Sequence, residues 1–327
     1  MPKPGLSPLT RALSLEVARV TEAAAVAAAR LRGQGDEAAA DRAAAEAMRR
    51  ELNNLPLRGR VVIGEGEEGE TPALFIGEEL GLCDGPPADI AVDPLEGATI
   101  CAKAQANAMS VLALTERGSL LNAPNIYMEK IAIGPGYASG LVDLDFAPAR
   151  NLARVAEAKG VAMSNLTACI LDRPRHAKLI AEVRAAGAAI QLIGDGDIAG
   201  IIQTCEPGET GIDIYMGFGG APEGVLAAAA LRCIGGQMQA RLAPQNDDER
   251  RWAAQLGIKD LARKYAVEDM ATGDVIFAAT GVTDGSLLTG VKFHPTRIQT
   301  HTVLMRSATG TVRWVRTDHR QIAKFSV

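Results

Sequence analysis

The chain has 327 residues, of which 47% are hydrophobic and 22% are charged, and its formal net charge is -5. This length exceeds that of a usual single-core domain, so it predicts either two domains or one large layered α/β domain. An acidic chain without a Lys/Arg cluster is a poor candidate for binding nucleic acid or an anionic membrane surface. We therefore expect neither nucleic acid nor membrane as a partner.

The five cysteines are odd in number, widely separated and never arranged as Cys-x-x-Cys. Such scattered cysteines are typical of reduced thiols, which predicts a cytoplasmic protein. The apolar segments are short, and charged residues interrupt or flank the alanine-rich stretch 21–31. We therefore expect no signal peptide and no membrane span.

Two helices are predicted at the start of the chain. Apolar residues recur at helical spacing over 9–32, and this stretch stops at Gly33 and Gly35. A second helix is predicted over 36–53, where Ala, Glu, Met and Arg dominate. Asp41 lies in its early turns, and an acid there suits the helix dipole without any further role.

Short β-branched apolar runs bounded by Gly, Pro and Asp predict buried strands. Two of them, at 60–67 and 88–97, end in acidic loops, and two more at 110–121 and 129–136 predict an antiparallel meander. From about residue 143, helical and strand patterns alternate, which predicts βαβ units and a sheet covered on both faces. We place a boundary near 140–148, which gives an N-terminal half, 1–142, and a C-terminal half, 143–327.

The segment IGEGEEGE at 63–70 formally matches the G-x-G-x-x-G dinucleotide fingerprint after a strand. In such a turn Glu65, Glu67 and Glu68 would oppose phosphates, and each like-charge pair at about 4 Å costs roughly 4 kcal/mol at an effective dielectric near 20. The charges therefore argue against a dinucleotide site. Two interpretations stay open, a loop that holds a cation and a solvated acidic turn.

The segment AVDPLEGATI at 91–100 places two acids three residues apart at the end of a predicted strand. Pro94 removes a donor and Gly97 allows a tight turn, so Asp93 and Glu96 are directed to one point. Carboxylates at a strand end are ligands that Mg²⁺ or Mn²⁺ prefers. The alternative is a capping box, because an Asp with a Glu three residues later also begins helices.

Three further segments follow predicted strands, where open α/β sheets place ligands. GFGGAPEG puts Glu223 at a helix N-terminus, where backbone amides favour an anion or a metal-bound carboxylate. In LDRPRH, Arg173 and Arg175 have a spacing that could grip a phosphate. In GDGD, Asp195 and Asp197 could bind sugar hydroxyls. Each segment is also explained by an ordinary surface loop.

The four histidines lack a metal-binding spacing, and none has an obvious serine or cysteine partner. We interpret them as structural or surface residues. A serine or cysteine nucleophile is likewise unsupported.

The motifs GEGE, DPLEG, NAPNIYMEK, LDRPRH, GDGD and GGAPEG occur in the order and approximate spacing of the class II fructose-1,6-bisphosphatases. The chain resembles this branch of the lithium-sensitive, metal-dependent sugar and inositol phosphatases from about Leu13 to His319. The resemblance implies an α/β (α+β) fold with α/β/α/β/α layers, in which two sheets lie between helix layers. It implies a metal-binding half at 1–142 and a substrate-binding half at 143–327. It also implies a homo-oligomer, either dimer or tetramer.

The implied activity is hydrolysis of the 1-phosphate of fructose 1,6-bisphosphate to fructose 6-phosphate, in gluconeogenesis or carbon fixation. The resemblance assigns Asp41 and Glu65 to one metal and Asp93, Glu96 and Glu223 to a second. The cofactor would be Mg²⁺ or Mn²⁺, with about two or three ions per site. The implied substrate-binding residues are Glu96, Gly97, Ala98, Tyr127, Arg173, Pro174, Arg175, Asp195, Gly196, Asp197 and Gly220.

The implied mechanism is in-line attack of a metal-activated water on phosphorus, without a covalent phosphoenzyme. Arg173 and Arg175 would hold the non-reacting phosphate and so position the reacting one. Five carboxylates and a phosphate in one pocket require divalent cations, so the electrostatics agree with the family.

One position departs from the family. A threonine that orients or activates the water normally follows the glycine of DPLEG, and this chain has Ala98 there. Thr99 is a candidate catalytic substitute, although one helical step turns a side chain by about 100°. Loss of a proton-handling group costs roughly 10² to 10⁴ in rate. The chain is then a weakened enzyme, a variant inactivated to trap substrate, or an enzyme that uses Thr99.

Three alternatives accompany the leading hypothesis. One is dual action on fructose 1,6- and sedoheptulose 1,7-bisphosphate, because the same arginines and aspartates could serve a longer sugar. The second is a sugar-phosphate binding protein without turnover, which Ala98 would explain. The third is an inositol monophosphatase, which accounts for neither the paired arginines nor GDGD.

Overall fold

Helices and strands alternate through the computed structural model, which describes residues 9–325. The helices are α1 (Arg11–Ala29), α2 (Glu37–Leu52), α3 (Ala98–Ala102), α4 (Pro148–Lys159), α5 (Ala177–Ala186), α6 (Asp197–Gln203), α7 (Pro207–Thr210), α8 (Ala221–Ile234), α9 (Asp247–Gln255) and α10 (Val267–Met270). The strands are β1 (Arg58–Ile63), β2 (Glu79–Leu80), β3 (Pro87–Glu96), β4 (Met109–Glu116), β5 (Tyr127–Ile133), β6 (Thr167–Leu171), β7 (Ala189–Ile193), β8 (Ile214–Gly220), β9 (Gln237–Leu242), β10 (Tyr265–Ala266), β11 (Val275–Gly281), β12 (Lys292–His294), β13 (Arg297–Arg306) and β14 (Thr311–His319). Within the described range, no helix has both the length and the apolarity needed to cross a bilayer.

The first two helices form where the sequence predicts them. In α1, Leu13, Val17 and Val20 recur at helical spacing and are buried. Helix α2 begins after Asp36, whose carboxylate accepts a hydrogen bond of 2.9 Å from the Ala39 amide and so satisfies one of the unpaired donors of the first turn.

The described chain divides into two units, and unit 1 comprises residues 9–120 and 271–325 of the described range. Its sheet has the order β12-β13-β11-β4-β3-β1-β2, and β14 pairs with the other edge of β13. The pairs are antiparallel except for β1 and β3, which run parallel. The apolar faces of α1 and α2 share one core with this sheet.

Unit 2 comprises residues 121–270 and has a sheet of its own in the order β10-β9-β5-β8-β6-β7. Strand β6 runs parallel to β7 and β8, whereas β5 is antiparallel to both β8 and β9. The predicted βαβ alternation therefore gives parallel pairing only among β6, β7 and β8. A separate apolar core lies between this sheet and α4 and α5.

The division differs from the predicted boundary near residue 142. Strand β11 returns to pair with β4, in a register that places Ala278 opposite Leu112. Strand β13 then pairs with β11. The end of the chain therefore completes the first sheet, a long-range pairing that local patterning cannot reveal. The predicted α/β class with two sheets is confirmed.

Candidate active site

Two acidic segments of unit 1 lie at the carboxyl ends of two neighbouring parallel strands. The register of β1 and β3 pairs Ile63 with Ala91, so Glu65 and Asp93 each lie two residues beyond a paired position. Because parallel strands run in one direction, both carboxylates lie at the carboxyl-end edge of this strand pair.

A β-bulge places the two acids of the segment AVDPLEGATI on one face of β3. Asp93 pairs with Val111 and Glu96 with Met109, so β3 advances three residues while β4 advances two. In a regular strand, positions 93 and 96 would point to opposite faces, and the extra residue brings them to the same one. Their carboxylate oxygens lie within 4.8 Å of each other.

The turn after this bulge requires a glycine. Gly97 has φ +87°, and a Cβ at this position would lie 2.7 Å from the Ile100 side chain. Helix α3 begins at Ala98 with Gly97 as its N-cap, and Glu96 therefore precedes the helix. The capping-box interpretation of Asp93 and Glu96 is wrong.

The other acidic pair of unit 1 is Asp41 with Glu65. Both line a cavity of about 220 Å³ whose walls come from α2 and from the loop after β1. Burial raises the pKa of Asp41, and a hydrogen bond with Glu65 acts in the opposite direction. Two adjacent carboxyl groups need either a shared proton or a nearby cation. The donor set and its burial fit a hard divalent cation.

Ala98 and Thr99 differ in what surrounds them. The Ala98 methyl packs against the apolar core of unit 1. The Thr99 hydroxyl donates a 2.9 Å hydrogen bond to Glu37 Oε2. Glu37 lies four residues before Asp41, and therefore on the same face of α2. The Thr99 hydroxyl, the candidate substitute for the missing threonine, is thus bound to the Glu37 carboxylate, which lies one helical turn from Asp41.

The predicted arginines of unit 2 follow β6. Arg175 donates from Nε and Nη2 to the Phe218 carbonyl at 3.2 and 2.9 Å, and its guanidinium lies 4.8 Å from the centroid of the Tyr127 ring. Arg173 Nη2 lies 3.7 Å from Asp195 Oδ1. Pro174 lies between the two arginines and begins the 3₁₀ turn Pro174–His176. Both side chains are thereby restrained while they keep solvent exposure.

His176 fixes this turn. Its Nε2 accepts a 2.8 Å hydrogen bond from the Phe218 amide, so the proton is on Nδ1, which lies 2.8 Å from the Leu171 carbonyl. Burial lowers the pKa of the imidazole. The structural role expected for this histidine agrees with these contacts.

Asp197 forms a buried ion pair that the sequence analysis missed. Lys130 Nζ lies 2.6 Å from Asp197 Oδ2, and the two residues are 1% and 5% exposed. The Tyr215 hydroxyl donates to the same oxygen at 3.4 Å. A Cβ on Gly219 would lie 1.9 Å from Asp197 Oδ2, so this position must be glycine. The available signal was a lysine inside the apolar strand segment YMEKIAI, since a buried lysine needs a partner.

The GDGD turn begins α6. Gly196 is its N-cap with φ +83°, and the Gly196 amide donates to Asp195 Oδ1 at 3.2 Å. Asp195 and Asp197 therefore lie on either side of a glycine in the left-handed conformation, the first partly exposed and the second buried.

Glu223 lies in the first turn of α8. Its Oε2 is buried and has no hydrogen-bond partner among residues 9–325. Burial raises its pKa, the charge of Asp197 adds to this effect and that of Lys130 opposes it. A Cβ on Gly220 would lie 1.9 Å from this oxygen. A buried carboxylate oxygen without a donor fits a metal ligand.

The order of these motifs is that of one family over most of the chain. The family model described as "Bacterial fructose-1,6-bisphosphatase, glpX-encoded" matches residues 11–319. The chain belongs to this family. This membership makes the glpX-type chain a phosphoric monoester hydrolase and confirms the resemblance to class II fructose-1,6-bisphosphatases.

Curated relatives of this glpX-type chain carry a name with two activities. Proteins of Synechococcus sp. strains JA-3-3Ab and JA-2-3B'a(2-13) are each 46% identical to it over 332 residues, which cover 94% of this chain and 95% of theirs. A protein of Trichodesmium erythraeum IMS101 is 41% identical, over 94% of this chain and 96% of its own. All three are named "D-fructose 1,6-bisphosphatase class 2/sedoheptulose 1,7-bisphosphatase".

Proposed function

We propose that this chain hydrolyses the 1-phosphate of fructose 1,6-bisphosphate and depends on Mg²⁺ or Mn²⁺. The β-bulge that turns Asp93 and Glu96 to one face of β3 carries the proposal, because it builds an oxygen-ligand pair at a strand end. Family membership supplies the reaction class.

The metal ligands that we propose are the predicted set. Asp41 and Glu65 would hold one cation, and Asp93 and Glu96 a second one that the family pattern completes with Glu223. The hydrogen-bonded carboxyl pair Asp41–Glu65 and the unpartnered Oε2 of Glu223 support this assignment. When bound, about two or three such ions supply Lewis acidity to the phosphoryl group and lower the pKa of the attacking water.

Most of the residues that would bind the sugar bisphosphate lie in unit 2. Arg173, which is half-buried, and Arg175, which is exposed, carry guanidinium groups suited to the non-reacting phosphate, and Tyr127 supports Arg175 through its ring. Asp195 and Asp197 would accept hydrogen bonds from sugar hydroxyls. The remaining proposed substrate contacts come from backbone or small residues at tight turns, namely Glu96, Gly97, Ala98, Pro174, Gly196 and Gly220.

The position of Ala98 supports a weakened enzyme. Catalysis by Thr99 would require its hydroxyl to leave Glu37, because that bond commits its proton. We expect Ala98→Thr to raise kcat by about 10²-fold or more, since proton handling contributes roughly 10² to 10⁴ in rate. Thr99→Val is the matched control. If this variant loses about 10²-fold in kcat relative to the wild type, the catalytic hydroxyl is that of Thr99.

Phosphate release from fructose 1,6-bisphosphate with Mn²⁺ tests the proposal in the wild-type chain and in Ala98→Thr. No release from either form would overturn it. Competition between fructose 1,6- and sedoheptulose 1,7-bisphosphate tests the dual activity that the relatives' names suggest. Calorimetric binding of substrate by an inert Ala98→Thr form would favour a binding protein, and turnover of inositol phosphate would favour the inositol monophosphatase alternative.

A cytoplasmic homo-oligomer, dimer or tetramer, is also part of the proposal. The five cysteines all lie in the described range and none forms a disulfide, which agrees with a reducing compartment. Analytical ultracentrifugation tests the assembly, and a purely monomeric species at micromolar concentration would contradict it.

A further inference from the structure

A second cleft, of about 430 Å³, lies in unit 1 among residues that the proposed function does not use. It is formed by the start of α1, the end of β13 and the turn into β14. Its polar lining contains three guanidinium groups and three hydroxyl groups but no carboxylate, from Arg11, Ser14, Arg306, Thr309, Thr311 and Arg313. We call it the arginine cleft.

Arg306 is the most informative of these side chains because it is only 8% exposed. Its Nη2 donates a 2.6 Å hydrogen bond to the Leu9 carbonyl. Its Nε is buried and has no hydrogen-bond partner in the described part of the chain. A buried guanidinium with an unsatisfied donor costs free energy unless an acceptor, best a charged one, comes to it.

No carboxylate lines the cleft within the described part of the chain. Arg11, Arg306 and Arg313 take part in none of the ion pairs between residues 9 and 325, and residues 1–8, which lie outside the described range, include no Asp or Glu in their sequence. The chain has a net charge of -5, so three arginines without an ion pair make the cleft a positively charged region of a negatively charged protein.

The start of α1 adds to the same positive potential. The helix is 19 residues long and has no acid in its first turn, and the side chain of its N-cap, Thr10, accepts no hydrogen bond from the first-turn amides. Its first backbone amides and its dipole therefore favour an anion at this end. The helix start alone would not define a site, and here it coincides with the buried arginine donor.

We propose that the arginine cleft binds a tetrahedral oxyanion of the phosphate or sulfate class, either as the free ion or as the charged end of a small organic ligand. The three guanidinium groups and three hydroxyl groups supply several hydrogen-bond donors, as the four oxygens of such an ion require. Leu15, which is 59% exposed on the wall of the cleft, offers an apolar surface to an organic part.

Titration calorimetry of the metal-loaded wild-type chain with sodium sulfate, at constant ionic strength, tests the proposal. Sulfate is chosen because a phosphatase does not consume it. We expect Arg313→Gln and Arg11→Gln each to weaken sulfate binding by about tenfold or more, the usual effect of losing a charge-assisted hydrogen bond. Both residues are exposed, so their replacement leaves the core unchanged.

Arg316→Gln is the matched control. Arg316 lies on the same strand, β14, three residues from Arg313 and therefore on the opposite face, and it does not line the cleft. Its replacement should change the affinity less than about twofold, because only long-range, screened charge is lost. Arg175→Gln removes sulfate bound at the proposed substrate site, and binding through the arginine cleft should survive it.

Phenyl sulfate distinguishes the two sources of the anion. Tighter binding of phenyl sulfate than of sulfate, lost in Arg313→Gln, indicates an organic ligand, whereas equal binding indicates the free ion. The proposal is overturned if Arg313→Gln and Arg11→Gln bind sulfate as the wild type does, if Arg316→Gln weakens binding equally, or if Arg175→Gln abolishes all binding.

Discussion

The two units place opposite arrangements of charge at the residues assigned to the active site. Unit 1 brings carboxylates together with carboxylates, Asp41 with Glu65 and Asp93 with Glu96. Unit 2 alternates the signs, as in the buried pair of Lys130 with Asp197. Carboxylates held together require a shared proton or a cation, whereas opposite charges orient one another without any ligand. Under the proposed function, unit 1 therefore depends on added ions, whereas the ion pair of unit 2 is in place before substrate binds.

The largest expected effect comes from breaking a carboxylate pair in unit 1. We expect Glu65→Gln to lower Mn²⁺-dependent phosphate release by about 10³-fold or more, because a lost ligand removes several kcal/mol of transition-state stabilisation. The measurement is kcat/KM across a Mn²⁺ titration. The requirement for Mn²⁺ should also shift to higher concentration.

Glu68→Gln is the control for this change. Glu68 is an exposed acid in the same loop, three residues from Glu65, and it does not line the cavity beside Asp41. Its replacement should leave both kcat/KM and the Mn²⁺ requirement unchanged. Equal losses in the two variants would show that the loop's total charge, and not the Asp41–Glu65 pair, binds the ion.

The second expected effect concerns the alternating charges of unit 2. Lys130→Met leaves the Asp197 carboxylate buried without its cation, and breaking such a pair costs about 3–5 kcal/mol of unfolding free energy. The denaturant midpoint of Lys130→Met should fall accordingly, and activity should fall with it. Urea unfolding followed by circular dichroism measures the stability.

The double variant Lys130→Met/Asp197→Asn separates stability from function. It removes both charges, so it should recover most of the lost stability while turnover of the bisphosphate stays low. Full recovery of activity in the double variant would mean that Asp197 contacts no substrate. The ion pair would then serve the fold of unit 2 alone.

Local chemistry predicts the elements and most of the acids, but not their pairing. Helical spacing gives α1 and α2, and the strand-then-acid pattern finds Glu65 and Asp93, because these signals span only a few residues. The bulge depends on the register between β3 and β4, which one strand's sequence does not contain. Local patterns also could not predict contacts between residues that are distant in the sequence. Examples are Lys130 with Asp197, 67 residues apart, and Thr99 with Glu37, 62 residues apart.

A smaller effect should follow from removing one exposed cation of unit 2. Arg175→Gln should raise KM for fructose 1,6-bisphosphate by about 10- to 100-fold and change kcat little, because a contact to the non-reacting phosphate is uniform between ground and transition states. Arg184→Gln, an exposed arginine in the last turn of α5, is the control and should leave KM unchanged. A fall in kcat with constant KM would place Arg175 at the reacting phosphate.

The smallest expected effect on activity compares one exposed thiol of unit 1 with two buried thiols of unit 2. Cys83 of unit 1 is exposed, whereas burial raises the pKa of Cys169 and of Cys205 in unit 2 to about 12. Alkylation proceeds through the thiolate, so a buried thiol with a pKa near 12 stays almost wholly protonated and unreactive at pH 8.

Iodoacetamide should therefore label Cys83 in the native protein within minutes, with activity retained. It should reach Cys169 and Cys205 only after unfolding in urea. Mass spectrometry of the labelled peptides measures this. Rapid native labelling of Cys169 would show that unit 2 opens on the same timescale, and its charge pairs would then not be preformed.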